Sequence, residues 1–347
     1  MIRKLLKENL TRKLYENTLS ENVETSARGL VNIFETFNKL SGNLKEDIEY
    51  ITNFNQLLKE DSEFDPFSHL QQTGKINTEE DCVLTISEPN SKLGQINAPS
   101  LSLPAGYTCP FADICKSFAH PTGGKFKSNQ KSIKDVGDIR CYAASAEMTY
   151  PNVRNLRWRN FDLIKDTYKS NGVNGITNLL LKSINHYETK KGKITVFRIH
   201  DSGDFFEQYY LDAWIETAKQ RPDILFYAYT KSLPFWKERK SEIPKNLRLI
   251  ASEGGKADEL IDKEGFRKAV IVKDTGEAIR KKLNVDVNDF LAAFGDKDFA
   301  LLLHGVQSKE SGATSHAKQN SKIIKDAAKS MRVNPNEIVR LLKLYTN

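Results

Sequence analysis

Three cysteines, Cys109, Cys115 and Cys141, fall in one stretch that is poor in periodicity and rich in turn residues, among them Pro121, Gly123, Gly124 and Gly137. Three thiolates on one loop suit two kinds of centre. They can hold a [4Fe–4S] cluster and leave its fourth iron open, or bind zinc with His120 or Cys82 as the fourth ligand. In a reducing compartment, clustered cysteines favour metal or catalysis over a disulfide. Buried structural thiols and a redox role are the plainer alternatives, and the open Cys-x5-Cys-x25-Cys spacing does not decide among them.

A second concentration of polar residues is His200-Asp201-Ser202-Gly203-Asp204, which ends the apolar run Ile194, Val196, Phe197 and Ile199. His200 and Asp201 are candidate acid–base groups, and with Asp204 they would suit a divalent metal in a hydrolase. Asp204 also fits the N-cap of the next helix, with Glu207 completing a capping box, and Gly203 would let the backbone approach a ligand. Comparable polar groups end later apolar runs: Thr230-Lys231-Ser232, Ser252-Glu253-Gly254-Gly255, Lys273-Asp274 and His304-Gly305-Val306-Gln307. Lys231 is a candidate catalytic or anion-binding lysine, and the Ser252–Gly255 amides could approach a phosphate or carboxylate. His304 reads equally as a ligand or a core histidine. Asp286, Asn288 and Asp289 read as a helix cap. Arg154, Arg157 and Arg159 make a candidate phosphate-contacting face, although an exposed basic helix turn is the simpler reading.

The elements that would position these groups alternate regularly. Strands are expected at 82–86, 99–103, 194–200, 224–230, 247–251, 268–272 and 299–304. Helices are expected at 143–149, 153–169, 173–187, 204–220, 234–241, 256–265, 275–283 and 286–294, then at 313–331 and 335–345. Strands recurring with helical crossovers mean a parallel sheet. Six βα units make an incomplete barrel or an open doubly wound sheet, and in either the strand ends share one rim. Apolar residues at helical spacing predict further helices over 1–17, 26–41 and 44–59, so residues 1–80 read as a helical extension and linker available to a protein partner. Residues 81–347 read as the α/β domain, with its cysteine loop at 106–145.

The net charge is +7, with acid in excess before residue 82 and base in excess after it. A basic main domain suits a polyanion, and solvated lysine surface explains it as well. No apolar run approaches the ~18–20 residues that span a bilayer, and the N-terminus lacks a signal-peptide core. The expectation is a cytoplasmic protein with no membrane association.

Several motifs carry a resemblance: Ser102-Leu103-Pro104-Ala105-Gly106 followed by Thr108-Cys109-Pro110, Cys141-Tyr142-Ala143, Arg157-Trp158-Arg159-Asn160-Phe161, Ile199-His200 with Ser202-Gly203-Asp204-Phe205, and Tyr227 with Tyr229-Thr230-Lys231-Ser232. From about 98 to 318 the chain resembles the phage-encoded gene product 88 family, which implies the host cytoplasm. The order of strand, cysteine loop, helices and a strand ending in a Gly-acid turn is also similar to radical S-adenosylmethionine enzymes. That similarity implies an incomplete (β/α)6 TIM-like barrel with parallel strands. It implies a cluster on Cys109, Cys115 and Cys141, Ser202, Gly203 and Asp204 at the methionine moiety, and His304 and Gly305 near adenine, with Ser252 and Glu253 as further cofactor contacts. The substrate would be nucleic-acid-related or protein. The alternative is a zinc-stabilised nucleic-acid-binding protein without turnover. The cysteine spacing is more open than the Cys-x3-Cys-x2-Cys of those enzymes, and the turn is Ser-Gly-Asp.

Overall fold

A computed structural model describes residues 83–90, 93, 96–120, 133–135, 137–305, 307, 313–330 and 335–346. The helices expected over 1–17, 26–41 and 44–59, the linker after them and Cys82 lie outside the described residues. In chain order the elements are β1 (Ser100–Ser102), β2 (Ser117–Ala119), β3 (Ile133–Asp135), α1 (Tyr142–Thr149), α2 (Pro151–Lys191), β4 (Val196–Ser202), α3 (Gln208–Gln220), β5 (Leu225–Thr230) and α4 (Leu233–Glu238). There follow β6 (Leu247–Ser252), α5 (Glu259–Glu264), β7 (Lys268–Val272), α6 (Thr275–Arg280), β8 (Asn284–Val285), α7 (Phe290–Phe294), β9 (Phe299–Leu302), α8 (Thr314–Ser330) and α9 (Pro335–Tyr345).

Among the described residues, seven strands form one open sheet in the order β1-β4-β5-β6-β7-β9-β8. Every pairing in it is parallel. This is the expected α/β architecture, an unclosed sheet flanked by helices and consistent with an incomplete TIM-like barrel. The strand not foreseen is β8, two residues long and too short for periodicity to reveal. The strand expected at 82–86 is absent among the described residues: 83–86 are irregular, and only Ser87 bridges antiparallel to Ser100, with N–H···O distances of 2.8 and 3.0 Å. The cysteine stretch, expected as loop throughout, contains the antiparallel pair β2–β3.

The strands read as near-continuous apolar runs because both faces are covered. On one face Phe197, Ile199, Phe226 and Leu249 pack under Ile184 of α2 and Leu211 and Trp214 of α3. On the other, Val196, Leu225, Tyr227, Ile250 and Phe299 pack against Ala292 and Ala293 of α7 and Leu342 of α9. Each such side chain taken fully from water contributes about 1.5–3 kcal/mol. The two helices expected at 153–169 and 173–187 are the halves of α2, which breaks at Gly172 with φ 60° and ψ −154°. That conformation is essentially open to glycine alone.

An irregularity in β4 sets the site. Ser100 pairs with Arg198, yet Ser102 pairs with Ser202, so β4 carries extra residues opposite β1. A bulge of this kind turns side chains away from strict alternation. Arg198 and Asp201 therefore meet at 3.3 Å, while His200 sits against Phe205 and Tyr210.

Candidate functional site

The cysteine segment lies over the carboxyl ends of the strands. Leu103 N–H donates to Ser202 O at 2.9 Å, and Ser202 Oγ donates back to Leu103 O at 2.8 Å, which fixes the segment's start on β4. Gly203 then allows close approach. Its φ is 88°, and a Cβ there would stand 2.6 Å from Thr108 Oγ1 and 2.7 Å from Leu103 Cβ. Further along, Lys256 N–H donates to Phe111 O at 2.8 Å and Ile114 N–H to Gly254 O at 3.2 Å, tying the segment to the turn after β6. Gln307, beyond β9, pairs with both backbone groups of Arg140, at 3.1 and 3.2 Å.

Cys109, Cys115 and Cys141 are free and half-buried. They share one electrostatic neighbourhood. Burial pushes the Cys109 thiol up strongly, and Asp204, Cys141 and Cys115 add to it. Burial also raises Cys141, to about 11, with Cys115 adding and the Ala144 and Ala143 amides at the start of α1 opposing. Lys116 brings a cation: its Nζ donates to Gly106 O at 2.7 Å and to Cys109 O. Burial lowers its pKa, while Cys109 and Cys115 work to raise it. His120 is exposed at the end of β2.

Glu147 in α1 braces both arms of the segment. It is fully buried, and its Oε1 accepts Ala105 N–H at 2.8 Å and Arg157 NH1 at 2.9 Å. Arg157 NH1 also donates to Ala143 O at 2.9 Å, and Arg154 NH1 to Glu147 O at 2.9 Å. Arg159 donates to Val83 O at 3.0 Å and Thr85 Oγ1 at 3.2 Å. The expected phosphate-contacting face is corrected here. Arg154 and Arg157 are buried, so α2 turns their guanidinium groups inward, and the half-buried Arg159 also binds protein oxygens. The sequence offered a signal in Glu147, an acid one helix away from an arginine cluster.

The strand-end residues are largely engaged with one another. Asp204 does not cap α3: that helix starts at Gln208, its N-cap is Glu207, and no side-chain cap bond forms. Instead its Oδ1 accepts Thr230 Oγ1 at 2.6 Å and Phe205 N–H at 2.7 Å, and its Oδ2 accepts Lys231 N–H at 2.8 Å. Burial raises its pKa to about 6 against these bonds. Lys231 Nζ donates to Ser252 O at 2.8 Å, Ser252 Oγ at 2.9 Å and Glu253 O at 2.7 Å, stapling β5 to β6. The Gly254 and Gly255 amides do bind a carboxylate, that of Asp258, at 2.7 and 2.9 Å.

His200 is buried, with Nε2 3.3 Å from Tyr210 Oη, and burial with Arg198 nearby lowers its pKa to about 3. Arg198 donates to Asp289 Oδ2 at 2.9 Å, and Tyr227 Oη to the same oxygen at 3.0 Å. Asp289 thus joins a buried ion pair, while Asp286 accepts the Ala292 amide of α7 at 2.9 Å and does the capping. Tyr142 crosses the rim: its hydroxyl donates to Asp201 O, and its ring stacks on His304 at 5.8 Å. His304 Nδ1 lies 2.8 Å from Leu302 O, and Gly305 follows at a φ of 83°.

An open, all-parallel α/β sheet with a three-thiol segment laid across its carboxyl rim defines the class of protein. The chain belongs to the Gene product 88 family, whose profile matches residues 70–327. It is 30% identical over 91 residues to the Gene 88 protein of Mycobacterium phage L5, a stretch that is 26% of this chain and 38% of that relative. The Gene 88 protein of Mycobacterium phage D29 matches to the same extent, 30% over 91 residues and 38% of its length. The matched stretch thus spans less than half of each relative. No solved structure matches the chain.

Proposed function

We propose that the protein is a thiolate metalloprotein with an iron–sulfur cluster on Cys109, Cys115 and Cys141, seated at the rim of the partial barrel. The observation that carries this reading is the gathering of three half-buried thiols, with Cys141 brought back to the Cys109 and Cys115 turn, into one electrostatic neighbourhood beside Lys116. Burial keeps the bare Cys109 and Cys141 thiols protonated, whereas a bound metal deprotonates a coordinating thiol outright. Among the described residues no three His, Cys, Asp or Glu side chains group closely enough to hold one metal ion. A [4Fe–4S] cluster is satisfied by three protein thiolates, whereas a structural zinc takes four ligands. Three protein ligands would leave one iron for a substrate or cofactor, and the cluster would supply one-electron chemistry.

The chain's own residues hold that seat. Glu147 and Arg157 brace its arms, Lys116 offsets thiolate charge, and Tyr142 pins Cys141 to the rim. The groups that would meet S-adenosylmethionine fit it less well. Asp204, Ser252 and Gly203 are committed to Thr230, Lys231 and Thr108, so binding would require these contacts to exchange. The substrate in this reading is nucleic-acid-related or protein. Anaerobic purification tests it: the protein should be brown, with broad absorbance near ~400 nm and bound iron, and serine at any of the three cysteines should bleach it. A colourless protein carrying zinc would replace the cluster with the zinc reading. If neither metal binds and Cys109→Ala folds normally, the thiols are structural.

A further inference from the structure

The buried arginines leave the polyanion question open, and the opposite edge of the sheet answers it. α8 packs Ala317, Ile323 and Ile324 inward, Ile323 and Ile324 against the cluster of Val272, Ala278 and Leu302. Asn320 anchors it by donating to Lys273 O and Leu303 O, both at 2.7 Å. Lys318, Lys322 and Lys325 follow at i, i+4 and i+7, so they share one face, and all three are exposed. Arg280, Lys281 and Lys282, at the end of α6, are exposed as well, and α6 sets Ala278 and the following Leu283 into the same packed cluster as Ile323 and Ile324.

Few of these cations are neutralised. Lys281 reaches Glu277 at 3.9 Å. Among the described residues, Arg280, Lys282, Lys318, Lys322 and Lys325 make no ion pair. Two of the nearby acids are occupied: Asp274 lies 3.9 Å from His316 and accepts the Glu277 amide at 2.8 Å, and Glu277 accepts the Lys273 amide at 2.8 Å. A third, Asp326, is exposed on α8 one turn from Lys322, so the lysines outnumber the acids on that helix face three to one.

We propose that α6 and α8 form a binding face for the phosphate backbone of nucleic acid. Repeated cations without carboxylate partners are what a phosphate backbone requires, because each phosphate they neutralise releases condensed counterions. A lipid surface fits less well. Membrane-binding helices turn an apolar face outward, whereas α8 spends its isoleucines on the sheet. The face starts at the same rim as the thiol segment, since Lys273 follows β7 and α8 follows the segment that leaves β9. It is independent of whether the thiols hold a metal.

The test is binding of a ~30-nucleotide labelled DNA, single- and double-stranded, to the full chain across a salt series. Lys318→Glu, Lys322→Glu and Lys325→Glu together should weaken binding at least ~10-fold near ~0.1 M salt and flatten the duplex salt slope by about 0.9 for each phosphate no longer neutralised. A matched variant, Lys182→Glu, Lys237→Glu and Lys245→Glu, changes net charge equally at lysines elsewhere on the surface and should bind as the unaltered protein does. Circular dichroism melting confirms that both variants fold. Equal weakening in the two variants would reduce the effect to net charge and overturn the face. Unchanged binding by the first variant overturns it too, as does an unaltered protein that binds anionic vesicles and no oligonucleotide.

Discussion

His200 is held neutral by its surroundings, and this ties its titration to the stability of the fold. Its pKa falls from 6.5 to about 3, first by burial and then by Arg198. Between those values the unfolded chain binds the proton and the native protein does not, so His200 costs stability as pH drops below 6.5. The cost grows by about 1.4 kcal/mol per pH unit. Asp204 works the other way: raised to about 6 by burial, it takes up its proton first in the native state and gains stability as pH falls toward 3.8. Comparison with His200→Gln isolates the histidine. Relative to the unaltered protein, the variant should gain about 2 kcal/mol between pH 7 and pH 5 in urea unfolding, and a difference that does not change with pH would refute the assignment. Residue type had marked His200, Asp204 and Lys231 as chemical groups. Their neighbours, Tyr210, Thr230 and Ser252, come from other elements and could not be known from local sequence.

α1 is the element that couples the arms of the thiol segment, through the Cys141 end of its first turn and Glu147 in its second. Because Glu147 meets both the Ala105 amide and Arg157, its loss would leave a buried guanidinium without its counter-charge. Breaking a buried pair in this way costs roughly 3–5 kcal/mol. Glu147→Ala should lose about that much in urea unfolding. Glu147→Gln, which keeps an acceptor for the Ala105 amide, should lose less, and equal losses would show that the charge alone matters. Elements of this kind were legible where periodicity was long: the strands from Val196 onward and the halves of α2 appear where apolar spacing puts them. The bulge in β4 and the two residues of β8 were not, because register is a property of paired strands. The arginines of α2 misled because an inward-facing guanidinium bonded to carbonyls leaves the same sequence trace as an exposed one.

For the molecule as a whole, curvature is what turns strand ends into a site. β4 and β9 are separated in the sheet by β5, β6 and β7, yet Tyr142 touches Asp201 at the end of one and His304 beyond the end of the other. A flat sheet would keep these groups apart, so the partial barrel and the thiol segment hold each other in shape. A cluster bound only by the native state would add to this mutual support. At a free concentration a hundredfold above Kd such linkage is worth about 2.7 kcal/mol, which in a domain of this size raises Tm by about 5–10 °C. Anaerobic reconstitution with iron and sulfide should therefore raise Tm by that increment, and Cys141→Ser should abolish it. Tyr142→Ala keeps every thiol but unpins Cys141 from both strand ends, and should retain only part of the increment. A full increment in Tyr142→Ala would mean that the thiol segment holds its cluster without help from the rim.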